Sequence, residues 1–171
     1  MGERATSERR PVLAEHSLRS CLGRFATGVA VVTFDGPDAS SGITVNSFTS
    51  VSLEPPLVLV AVAKRARSHD ALGGRAFCVN VLGAEQEVLA QHFAGGPRAV
   101  FEWVPGTYAP RLPGVLAHLE CTPWRSYDGG DHTLFLGEVR GFDYRDGDSL
   151  AYLGSRYRTI AEQELGVDYL I

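Results

Sequence analysis

Apolar and polar residues change period several times along this 171-residue chain, and each change marks an element. Leu18, Leu22 and Phe25 recur at helical spacing, which predicts a helix over 12–25 that Thr27 and Gly28 break. Residues 29–34 are apolar and β-branched, Asp35-Gly36-Pro37-Asp38 is a turn, and 41–48 is the return strand of a hairpin. Residues 57–63 are almost wholly apolar, the pattern of a strand buried on both faces. A short helix over 68–72 leads through Gly73-Gly74 to a strand over 77–82. Residues 84–93 regain the 3.6 period, with Val88, Leu89 and Phe93 on one face.

The Gly- and Pro-rich segment 95–114 reads as a long loop with one short strand. Strands over 115–122 and 133–144 flank a turn at Asp128-Gly129-Gly130-Asp131, and 152–171 ends in a short helix and an apolar tail. Residues 1–11 read as a disordered leader before a single domain over 12–171. About six strands with short turns and few helices predict a mainly β fold, a closed or split antiparallel barrel. Neither GxGxxG after a strand nor GxxxxGK[ST] occurs, so no Rossmann or P-loop site is expected.

One stretch does not fit a plain core. Thr44, Asn46, Ser47, Thr49, Ser50 and Ser52 put short hydrogen-bonding side chains between two apolar strands. A cationic cluster, Lys64, Arg65 and Arg67, follows the second strand and precedes Ser68. That order suits a flat, polar-edged ligand bearing a phosphate, which cations hold by charge-assisted hydrogen bonds. With Ser68 as N-cap, the next helix would add free N–H groups, although Asp70 in its first turn opposes an anion. The rival readings are a polar strand face for the hydroxyls, a solvated face for the cations and a turn residue for His132.

Charge and composition narrow the class. A formal charge of −4 argues against a nucleic-acid binder. No apolar run reaches the ~18 residues of a membrane span, and the N-terminus has no apolar signal core. Cys21, Cys78 and Cys121, odd in number and far apart, fit reduced thiols in a cytoplasmic protein. His118 and Cys121 look like a ligand pair, but positions three apart on a strand face opposite ways, so no metal site is expected.

Four motifs in order carry a resemblance. They are Arg24-Phe25-Ala26-Thr27-Gly28-Val29 with Val31-Val32-Thr33; the run from Thr44 to Ser52 with Pro55-Pro56-Leu57; Phe77-Cys78-Val79-Asn80-Val81-Leu82 with Gln86 and Phe93-Ala94; and Gly130-Asp131-His132-Thr133 with Gly137-Glu138-Val139. Over residues 22–157 the chain resembles the flavin reductase-like FMN-binding split barrels, the short reductases of two-component flavin-dependent monooxygenases. The resemblance implies an antiparallel Greek-key barrel with a few flanking helices.

It implies an NAD(P)H-dependent flavin reductase that reduces FMN or FAD with NADH or NADPH and supplies free reduced flavin to a separate monooxygenase. It also implies a homodimer. By the same likeness Thr44, Asn46, Ser47, Phe48, Thr49, Ser50, Val51 and Ser52 hold the isoalloxazine and ribityl groups. Ala63, Lys64, Arg65 and Ser68 lie near the phosphate. Phe93 flanks the ring, Thr27, Gly28 and Val29 border the pocket, and His132 takes the catalytic place where the nicotinamide docks. The family often has a hydroxyl residue where this chain has Ala66, which leaves Arg65, Arg67 and Ser68 for the phosphate. The alternative is a non-catalytic FMN-binding carrier or sensor; a split-barrel oxidase of a pyridoxamine phosphate would need further phosphate-binding basic residues in this chain, and Gly130-Asp131-His132 argues against it.

Overall fold

A computed structural model describes residues 15–161. In chain order the elements are α1 (Glu15–Leu22), β1 (Thr27–Gly28), β2 (Ala30–Asp35), β3 (Ser40–Val45), β4 (Thr49–Leu53), β5 (Pro56–Ala63), α2 (His69–Leu72) and β6 (Phe77–Val81). A 3-10 turn, Ala84–Gln86, opens α3 (Glu87–Phe93), and then come β7 (Ala117–Gly129), β8 (His132–Tyr144), β9 (Ser149–Leu153) and β10 (Arg156–Ile160).

Seven strands form one antiparallel sheet in the order β3-β2-β6-β7-β8-β5-β4, and β1-β9-β10 form a second. The two edges of the large sheet, β3 and β4, are consecutive in sequence. Residues 46–48 link these edges, and Ser47 between them bonds Ala61 of β5.

Strand alternation decides the core. Ala30, Val32 and Phe34 of β2 point inward with Val58, Val60 and Val62 of β5 and Phe77 and Val79 of β6. Each fully buried side chain of this kind contributes about 1.5–3 kcal/mol. Val31, on the other face of β2, joins a second cluster with Leu82, Ala90, Leu112 and Leu150. Buried polar groups fasten this outer layer. Asn80 Nδ2 donates to Val31 O at 3.0 Å and Thr33 Oγ1 at 2.9 Å, while its Oδ1 accepts from Leu112 N at 2.9 Å. The Thr33 hydroxyl donates to Pro110 O, and Glu120 accepts from Tyr108 N at 2.6 Å. The segment over 95–114, which carries only the isolated bridge Val104–Arg111, is thereby pinned to the sheet.

Several expectations need correction. The helix predicted to Phe25 ends at Leu22, and Phe25 is 78% exposed. The strand predicted over 41–48 stops at Val45, because 46–48 turn the chain into β4. β5 alternates: Val58, Val60 and Val62 are buried, while Leu59, Ala61 and Ala63 stay half-buried. α3 buries Ala90, leaving Val88 61% exposed. β7 runs on to Gly129, so its hairpin with β8 is far longer than predicted. Ser149–Leu153 and Arg156–Ile160 are strands that the periodicity did not yield. The leader over 1–11 and the helix and apolar tail predicted at the C-terminus lie outside the described residues, apart from the strand at their start.

The described cysteines, Cys21, Cys78 and Cys121, are free thiols. Burial first, then the nearby Glu120 carboxylate, pushes both Cys78 and Cys121 up to about 12. Among the described residues no group of acids, histidines and cysteines could hold a metal, and no helix is long and apolar enough to cross a membrane. His118 instead accepts from Arg111 Nη1 at 2.8 Å.

Candidate functional site

A groove follows edge strand β3 and the chain on either side of it. Its inner cleft, about 340 Å³, is lined by Phe25 to Ala30, by Asn46 to Thr49 and by Val81. A middle cleft of about 200 Å³ shares Val29 and Asn46 with it and adds Tyr152 and Tyr157. Thr44 and Ala94 carry the groove on into an outer cleft of about 1,250 Å³. Strand geometry explains the layout: β3 is an edge, so one flank of its backbone is open to a ligand instead of a neighbour.

The inner cleft brings together Thr27, Gly28, Val29, Asn46, Ser47, Phe48 and Thr49, which are far apart in sequence. The Thr27 hydroxyl is buried there with no hydrogen-bond partner among the described residues. A buried polar atom left alone costs about 1–3 kcal/mol, so a ligand edge that satisfies it has a built-in advantage. Other hydroxyls of the run are spent inside the protein. Ser47 Oγ accepts from Ala61 N at 3.0 Å and donates to Ala61 O at 2.8 Å. Thr44 Oγ1 donates to Ala90 O at 2.7 Å, tying β3 to α3. Ser50, Val51 and Ser52 stand on β4 beside a bulge in its pairing with β5, outside the groove, and Ser52 Oγ accepts from Glu54 N at 3.2 Å.

The outer cleft gathers Ala63, Arg65, Arg67 and Ser68 from the end of β5 and the start of α2, with Ser41, Gly42 and Thr44 of β3. Phe93 forms its wall. Gly42 permits this, since a Cβ there would lie 3.0 Å from the Phe93 ring. Phe93 is one of a file of rings with His92, Phe101 and Trp103, at centroid distances of 4.7–5.9 Å. Ser68 does not cap α2: its backbone is helical, and its hydroxyl reaches only Gly42 O at 3.5 Å.

Lys64 goes elsewhere. Its ammonium pairs with Asp128 and donates to Gly130 O at 2.6 Å, while its backbone N–H donates to Asp131 O at 2.9 Å. It clamps the tip of the β7–β8 hairpin, where Gly130 takes φ 75° to close the turn. The Lys64 hydrogen bond and charge hold the Asp128 carboxyl below its usual range. The clamp places His132 opposite Ala63 on β5. His132 Nδ1 lies 2.7 Å from Asp131 Oδ1, a hydrogen bond that lowers the Asp131 carboxyl. The ring is 41% exposed and lines none of the three clefts. Next to it, Thr133 Oγ1 meets His69 Nε2 at 2.8 Å, and His69 Nδ1 meets Asp70 Oδ1 at 2.8 Å.

Sequence reasoning missed His69, Arg98 and the ring file of Phe101 and Trp103. Only the Arg-Ser-His-Asp run beside the cationic cluster could have drawn attention to His69.

Residues 22–161 match the family model described as "Flavin reductase like domain". The chain is 42% identical over 151 residues to the FMN reductase (NADH) SmoA of Agrobacterium fabrum, covering 86% of this chain and 87% of that one. It is 37% identical over 148 residues to the reductase component of 4-hydroxyphenylacetate 3-monooxygenase of Thermus thermophilus, covering 85% and 97%. Among solved structures it superposes on the Streptomyces globisporus C-1027 NADH:FAD oxidoreductase SgcE6, in complex with NAD and FAD fragments. The TM-score is 0.79 at 44% identity, over 87% of this chain and 94% of that one.

Proposed function

The chain belongs to the flavin reductase-like family, and from that premise we propose that it is an NADH-dependent flavin reductase serving a separate monooxygenase. The observation that carries the reading is the groove along β3. It joins an inner cleft with an orphaned Thr27 hydroxyl to an outer cleft with arginines. A flavin fits that sequence of chemistry: a flat ring with a hydrogen-bonding edge, a polyol, then phosphate.

Bound flavin would supply the hydride-accepting ring and the nicotinamide the hydride, so the redox chemistry would be that of the two substrates. The protein supplies orientation and water exclusion. Thr27 and the chain over 46–49 hold the ring edge. Thr44 and Phe93 line the path of the polyol. Arg65, Arg67 and Ser68 hold phosphate, with Lys64 acting indirectly through the hairpin tip. Asp131 fixes the ring of His132, and the half-exposed His132 contacts the nicotinamide. The half-buried face of β5 and exposed apolar side chains such as Leu53, 94% exposed, support a homodimer in which a second copy covers part of this surface. The free thiols support a cytoplasmic setting.

The test follows absorbance at the nicotinamide band with and without added FMN or FAD. Rapid NADH oxidation only when flavin is added is expected, and a dimer by light scattering. Absence of flavin-dependent oxidation with either nicotinamide defeats the reading. Tightly retained yellow flavin without turnover would mean the carrier or sensor alternative.

A further inference from the structure

We propose that the outer cleft is built for the ADP half of FAD, so that FAD rather than FMN is the preferred flavin, with Arg98 as the residue that sets the preference. This rests on the flavin reading above and adds to it which flavin is used.

Three observations carry it. The first is charge. Arg65, Arg67 and Arg98 line one cleft, and no Asp or Glu lines it, in a chain where acids outnumber bases 20 to 16. None of the three has a hydrogen bond or ion pair among the described residues; Arg65 only adds to the field that lowers Asp131. Arg65, Arg67 and Ser68 suffice for the single phosphate that ends FMN. Arg98 comes from a different segment, beyond α3, and is surplus to one phosphate. A pyrophosphate, with two adjacent anionic groups, uses both sources of charge.

The second observation is the ring file. Phe101 and Trp103 lie edge to face at 5.1 Å and border the same cleft as Arg98. Aromatic side chains at a wet cleft are platforms for purine stacking. FMN has no second heterocycle to place there, whereas FAD has adenine.

The third is continuity. The outer cleft, about 1,250 Å³, is several times larger than the inner one and joins it through Thr44 and Ala94. One ligand can therefore run from the Thr27 end to the Arg98 end. A nicotinamide dinucleotide has the same pyrophosphate and adenine, and the experiment separates the two.

Flavin fluorescence is titrated with the full-length protein, using FAD and FMN, alongside steady-state kinetics for NADH. FAD is expected to bind about tenfold more tightly than FMN or better, the size of one stacked base plus one charged contact. Arg98→Ala should remove most of that advantage by weakening FAD, with FMN affinity falling far less. Arg98→Lys, which keeps the charge on the same exposed loop, should recover part of it. Equal affinities for FAD and FMN in the unaltered protein overturn the inference while leaving the flavin reading intact. An Arg98→Ala variant that raises the KM for NADH and leaves FAD binding alone also overturns it, assigning the cleft to the donor. Failure to bind either flavin sinks both.

Discussion

Ser47 closes on Ala61 through two hydrogen bonds, one to each backbone group, at 3.0 and 2.8 Å. The side chain completes the pairing that a neighbouring strand would give β5, at the bend where the chain leaves one sheet edge for the other. Ser47→Ala leaves the half-buried Ala61 N–H and C=O unpaired, so a loss of about 1–3 kcal/mol is expected. Urea denaturation would measure it. A variant as stable as the parent would mean that water replaces the hydroxyl and that the clasp contributes nothing.

Thr27 reverses that pattern. Its hydroxyl is buried and unpartnered in the inner cleft. Thr27→Val keeps the shape and removes the orphaned atom. The free protein should be as stable or slightly more so, while flavin affinity falls about threefold to tenfold, the worth of one hydrogen bond. Melting temperature and flavin titration read the two effects separately. Unchanged affinity would show that the ligand does not use this hydroxyl.

Lys64 anchors the hairpin tip that carries His132. Both partners of its ion pair are well exposed, at 44% and 76%, so Lys64→Ala should change stability little. The KM for nicotinamide should nevertheless rise, since His132 loses its anchor. His132→Ala should raise the same KM more than that for flavin. An equal rise in both constants, for either variant, would count against His132 as the nicotinamide contact.

His118 gives the fold a pH dependence. Burial first, and then the Arg111 charge beside it, lower its pKa from 6.5. The folded chain therefore favours neutral His118, with Nε2 accepting from Arg111. Unfolded chain takes up the proton first as pH falls. The stabilisation is thus complete above pH 6.5 and is lost as pH drops from there through the lowered folded value. His118→Gln keeps an acceptor without the titration, so its melting temperature should decline less between pH 7 and pH 5. Identical pH profiles for both proteins would place the acid sensitivity elsewhere.

Local pattern was enough for much of the fold. The β-branched runs of β2 and β6, the Asp-Gly-Pro-Asp turn and the amphipathic α3 follow from residues close in sequence, because period and turn chemistry are local properties. Spacing also pointed to the cluster at 64–68 and the hydroxyl run. That Thr49–Leu53 form an edge strand was not legible, since an edge strand with exposed faces has no apolar signature. Helical spacing likewise carried the predicted helix on to Phe25, although the helix ends at Leu22.

The chain by itself determined a mainly β antiparallel fold, its family and some of the segments that line the groove. Tertiary structure decided what each side chain does there. It spends Ser47 on Ala61, Thr44 on Ala90 and Lys64 on the hairpin, leaves Thr27 without a partner, and brings Arg98 to the cleft of Arg65 and Arg67. The reason is physical: hydrogen-bond partners and charge neighbours are set by sheet pairing and loop packing across tens of residues, and no local period records them.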